Sequence, residues 1–132
     1  MTSIPGRAAV VAIALAGLAF GLSWRADAAS CEHHRQSFLK LALREQATAD
    51  DARSLADHCA DTEQLAAVAA GYARTDRALA EQLAEVAVDR APETFAPWAA
   101  LALSRPAGSA GALVAWRRAK ALNPRWTLPA PR

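Results

Sequence analysis

With about thirty N-terminal residues read as targeting sequence, the 132-residue chain leaves only about a hundred to build a core, which is one small domain. Apolar residues make up 53% of it, much of that alanine, which packs helices closely while burying little area per residue, so a helical array fits better than a barrel. The formal charge of +2 hides an asymmetry: every acidic residue lies between Asp27 and Glu93, whereas beyond Ser104 there are only the cations Arg105, Arg117, Arg118, Lys120, Arg125 and Arg132. Such a basic end suits anionic lipid headgroups or an acidic polysaccharide, or is simply a solvated helix face with a frayed tail; with no aromatic-interleaved basic motif, nucleic acid is not expected as a partner.

The strongest local signal comes first. Arg7 precedes an uncharged run from Ala8 to Trp24, AAVVAIALAGLAFGLSW, with no polar face, which predicts an export signal or a membrane anchor over residues 1–30. The run is long for a signal peptide and sits at the lower limit of about 17 residues for a spanning helix. Ala26-Asp27-Ala28 offers an A-x-A cleavage site and Ala28-Ala29-Ser30 a second, while Trp24 and Arg25 suit a membrane interface and favour an anchor. In either case the chain beyond residue 30 faces out of the cytoplasm, attached to the membrane if the run is not cleaved.

From Ser30 onward, caps and prolines divide the chain into six short helices, with no period-two run to suggest a sheet. The first spans about Glu32 to Gln46, with Phe38, Leu41, Ala42 and Glu45 on one face. Thr48-Ala49-Asp50-Asp51 reads as a capping box opening the second, which carries Ala52, Leu55, Ala56 and Cys59. Asp61-Thr62-Glu63-Gln64 repeats the device before a third helix with Leu65, Val68, Ala69 and Tyr72 on its face. Thr75 is expected to cap the fourth, which carries Leu79, Leu83, Val86 and Ala87 and is stopped by Pro92. The fifth follows Thr94, with Pro97 in its first turn, and ends before Pro106; Ser109 opens the sixth and Asn123-Pro124 closes it. Residues 31–124 form the helical domain, and 125–132 a disordered basic, proline-rich tail.

Aligning two of these prolines brings out an internal repeat of about 32 residues. Ala80, Ala84, Ala87 and Pro92 recur in spacing as Ala112, Trp116, Ala119 and Pro124. This resembles the second half of the tetratricopeptide consensus, A-x3-F-x2-A-x4-P, which places a small residue where two helices cross, an aromatic in the core and a helix-ending proline. Trp98 and Leu101 resemble the W-x2-L of its first half, and Leu65, Val68, Ala69 and Tyr72 resemble the same helix one hairpin earlier. Both hairpins are one or two residues short, and Arg105 stands where the second would have its tyrosine. The resemblance covers Leu65 to Pro124 and implies an all-α array of two to three helical hairpins behind the apolar N-terminal helix, with Trp98 and Trp116 in the core. It also implies that Ala96, Ala99 and Leu103 line the groove of the last repeat.

Cys31 begins the first predicted helix and Cys59 ends the second, ends that an antiparallel hairpin brings together. A disulfide is the natural outcome in an oxidising compartment. Unpaired thiols and a zinc site built with His33, His34 and His58 are the alternatives, the latter weakened by the lack of any C-x2-C or H-x3-H pair. No phosphate loop, G-x-S-x-G, H-E-x-x-H or calcium loop occurs, so no enzyme and no cofactor are expected. Glu81 and Glu85 read as a solvated pair one turn apart. The tetratricopeptide resemblance implies a binding or scaffolding module of the bacterial cell envelope, with a protein partner such as a secretion or polysaccharide-export assembly. A periplasmic metal or redox protein using the Cys/His cluster is the competing expectation.

Overall fold

The computed structural model describes the backbone of residues 4–132 and the side chains of residues 13–132; the side chains of Arg7 and of the first part of the apolar run lie outside the described residues. Six α-helices make up the regular structure: α1 (Ile4–Leu43), α2 (Ala49–His58), α3 (Thr62–Tyr72), α4 (Arg77–Arg90), α5 (Phe95–Ser104) and α6 (Ala110–Leu122), with no strand among the described residues. The chain is all-α, as composition and periodicity require.

The largest departure from expectation is α1. The apolar run and the first predicted domain helix are one 40-residue helix, about 60 Å long at 1.5 Å per residue. The boundary at residue 30 rested on export chemistry, whereas the backbone meets neither proline nor glycine between Ser23 and Gly71 and has no reason to break there. The helix stops at Leu43 because Glu45 takes a left-handed conformation, φ 57°, and the Gln46 N–H turns back to the Leu41 carbonyl. Ile13, Leu15, Leu18, Phe20, Leu22 and Trp24 are 61–74% exposed. Among the described residues no helix is long and apolar enough to cross a membrane.

The other helices begin where side chains can satisfy their free N–H groups. Thr48 and Asp51 form a reciprocal capping box at α2. Asp61 accepts from the Glu63 and Gln64 amides at α3, and Ser109 from Ala112 at α6. The cap of α4 is Asp76 rather than Thr75: its carboxylate accepts from the Leu79 amide, while the Thr75 and Asp76 N–H groups close a turn on the Tyr72 carbonyl. Thr94 is the N-cap of α5 by position but makes no side-chain cap bond, and Pro97, in the first turn, is buried.

Consecutive helices pair as α1 with α2, α3 with α4 and α5 with α6; between pairs, α2 packs on α4, α3 on α5, and α4 on both α3 and α5. Leu55, Leu65, Leu83 and Leu101 fill the core, and Ala80, Ala84, Ala87, Ala112, Ala115 and Ala119 are fully enclosed. The body holds α1 through a short stretch in which Cys31, Phe38 and Ala42 are buried and the Phe38 ring meets Tyr72 edge-on at 5.5 Å.

Candidate functional site

Two features carry chemistry. The first is the junction of α1 with the end of α2. Cys31 and Cys59 lie at disulfide distance, their Cα atoms 4.3 Å apart and both side chains buried. An antiparallel hairpin places them so: residues 44–48 turn the chain at one end, and the cysteines meet at the other. Such a pair points to an oxidising, extracytoplasmic environment. The carbonyls that α2 leaves free beside this junction are not orphaned, since the Arg90 guanidinium reaches across from α4 and donates to Ala56 O at 2.8 Å and Cys59 O at 2.9 Å.

The three histidines gather here but do not converge. His34 and His58 stack, with ring centroids 3.9 Å apart and planes within 4°, and His33 meets His34 edge-on at 5.6 Å. His34 Nδ1 lies 2.9 Å from Ser30 O and His58 Nδ1 2.8 Å from Ser54 O. A carbonyl only accepts, so in each ring Nδ1 is the donor of this bond. Each bond runs toward the start of its own helix, and the two helices are antiparallel. Among the described residues no group of three or more His, Cys, Asp or Glu side chains is arranged to hold a metal.

The second feature is a cleft of about 270 Å³ at the far end of the array, bordered by Arg77, Leu103, Arg105 and Trp116 and by the segment Leu128–Pro131. Of the three residues that the tetratricopeptide resemblance assigns to a groove, Leu103 is 42% exposed and borders this cleft, Ala96 is half-buried and Ala99 is buried. Arg105 is tied down by Glu81 at 3.1 Å and Glu85 at 3.4 Å and donates to Gly111 O at 3.2 Å, which gives both glutamates and the residue in the tyrosine position a common ion-pair role.

The residues singled out as repeat core divide into two groups. Leu65, Val68, Ala80, Ala84, Ala87, Leu101, Ala112 and Ala119 are buried, whereas Tyr72, Trp98 and Trp116 lie half-buried at the margin and Pro92 and Pro124 are exposed in the turns after α4 and α6. The indoles keep to the margin because each has an N–H to satisfy. Trp98 Nε1 donates to Pro92 O at 2.7 Å, and Trp116 Nε1 to Leu128 O at 3.0 Å. A smaller pocket lies between Tyr72, Glu45 and Asp76; burial first, and then the Asp76 and Glu45 carboxylates, hold the Tyr72 hydroxyl above its ordinary pKa.

The path of residues 125–132 had no sequence signal beyond proline content. No protein-family model matches this chain, and no curated protein or solved structure matches it either.

Proposed function

We propose that this chain is a non-enzymatic interaction module of a bacterial cell envelope, a short array of tetratricopeptide-like hairpins carried outside the cytoplasm on an apolar helix. The pairing order of the helices carries the reading. Sequence-adjacent helices pair, first helix packs on first helix (α3 on α5), second on second (α2 on α4), and α4 also packs on the next first helix, α5. These contacts support a short stack of helical hairpins, whose product is an extended surface rather than an enclosed catalytic pocket. The full burial of Ala80, Ala87, Ala112 and Ala119, at the small-residue positions of the repeat consensus, supports the same reading.

The cysteine pair supports the oxidising side of a membrane as the location. The exposed side chains from Ile13 to Trp24 support the bilayer as what covers the N-terminal half of α1. Retention of that half keeps α1 whole; cleavage after Ala28 would cut it two residues before its first buried side chain, Cys31. Partner binding then occurs close to the membrane, which suits docking onto a secretion or polysaccharide-export assembly.

Photo-crosslinking in the native host from position 103, followed by isolation of envelope fractions, tests the reading. The expected result is a discrete crosslinked species with an envelope protein, in a fraction from which the chain is released by detergent and not by salt. Recovery of an uncrosslinked chain in the cytosolic fraction would refute it.

A further inference from the structure

Residues 126–132, Trp-Thr-Leu-Pro-Ala-Pro-Arg, form no helix and fold back along α6. The turn is set by the Trp126 N–H on Asn123 O, and the Trp126 ring packs edge-on against Phe95 at 5.2 Å. Beyond it, two side chains of α6 donate to the segment's backbone: Lys120 Nζ to Trp126 O, and Trp116 Nε1 to Leu128 O at 3.0 Å. At the far end the backbone of Arg132 runs against Gly108, where an added Cβ would lie 3.3 Å from Arg132 C and O.

Both donors address carbonyls, not side chains. Between them the half-buried Trp116 ring and the exposed Leu103 form an apolar shelf beside Leu128, Pro129 and Pro131. An extended proline-containing strand has no internal hydrogen bonds and leaves its carbonyls free, and a groove with an aromatic wall and a donor aimed at a carbonyl is how such strands are bound. The fit is incomplete: Leu103 stays 42% and Leu128 39% exposed, and the cleft of about 270 Å³ remains open beside the segment.

We propose that the surface around Trp116 and Leu103, on which residues 127–132 lie, is a binding groove for an extended, proline-containing segment of a partner protein, and that residues 127–132 are an internal, displaceable occupant of it. The proposal rests on the interaction-module reading and names its site and ligand class. An internal occupant competes at a local concentration on the order of millimolar, so it weakens an external strand of similar intrinsic affinity by mass action. Detaching it strengthens external binding without any new contact.

The test uses the full chain in detergent micelles, alone and with Pro129→Gly/Pro131→Gly, titrated with a synthetic peptide Thr-Leu-Pro-Ala-Pro-Arg and with the same peptide bearing alanine for both prolines. Binding is followed on the indole N–H signals, that of Trp116 being assigned from Trp116→Phe. The glycine variant should bind the proline peptide at least ~10-fold more tightly than the parent chain, with the Trp116 signal shifting most and the alanine peptide binding at least ~10-fold more weakly. Leu103→Glu, exposed and outside the core, should abolish binding, and so should Trp116→Phe. No saturable binding by the glycine variant, equal binding of both peptides, or indifference to Leu103→Glu would overturn the proposal. So would a dimer of the parent chain that the glycine variant lacks, because the groove would then be filled by a second copy. If the peptide binds while no envelope partner is crosslinked in the host, the groove stands and the envelope-scaffold reading falls; a crosslinked partner with no peptide binding gives the converse.

Discussion

Removing the Cys31–Cys59 link by the double substitution Cys31→Ala/Cys59→Ala puts a figure on what holds α1 to the body. The two residues are 28 apart in sequence, and cross-linking a loop of that size withdraws about 3.5 kcal/mol of entropy from the unfolded chain in the loop-closure model. Alanine is preferred to serine because both positions are buried, and a hydroxyl there without a partner would add about 1–3 kcal/mol of its own. For a domain of this size each kcal/mol moves the midpoint by about 4–8 °C, so the variant should melt roughly 15–25 °C below the parent. Far-UV circular dichroism during heating, with and without a reductant, measures this. Reductant should lower the parent to the level of the variant and leave the variant unmoved. A shift below about 5 °C, or a variant that responds to reductant, would refute the loop-entropy account.

Three further outcomes are set by the packing. Phe38→Ala removes a large fully buried side chain that α1 gives to the core and should cost about 3–5 kcal/mol in denaturant unfolding, with proteolytic nicking concentrated between residues 32 and 48. Asp76→Ala deletes the α4 cap and should cost about 1 kcal/mol, whereas Thr75→Ala, which removes no cap bond, should lie within about 0.5 kcal/mol of the parent in the same assay. The Tyr72 hydroxyl has its pKa raised in the fold, so the folded state holds this proton more tightly than the unfolded chain does. Its contribution is complete below the ordinary value of 10.0 and is lost as pH rises above it, and Tyr72→Phe should flatten the alkaline fall in stability.

The candidate site was legible only in part. The cysteine pair could be read because two predicted helix ends had to meet across one hairpin, and any antiparallel arrangement delivers that. The stacking of His34 on His58 could not, since it depends on how the two helices pack. Arg105 looked like a departure from a consensus tyrosine; Glu81 and Glu85, 24 and 20 residues before it, become its partners only once α4 and α5 are side by side. The two tryptophans were expected in the core from the repeat resemblance, but each indole N–H needs an acceptor, and the carbonyls they reach, Pro92 O and Leu128 O, lie at the surface.

What the sequence by itself determined is whatever depends on a few neighbouring residues. The capping box at Thr48, the caps at Asp61 and Ser109, the stops at Pro92 and Asn123-Pro124, and the all-helical class all come from local hydrogen-bonding and steric rules that act within one turn. The choice of Asp76 over Thr75 was decided by which oxygen reached the Leu79 amide once the turn after Tyr72 had closed. Tertiary structure alone decided how residues 126–132 run and which helices pair. Those outcomes depend on surfaces assembled from distant parts of the chain, and no local propensity specifies them.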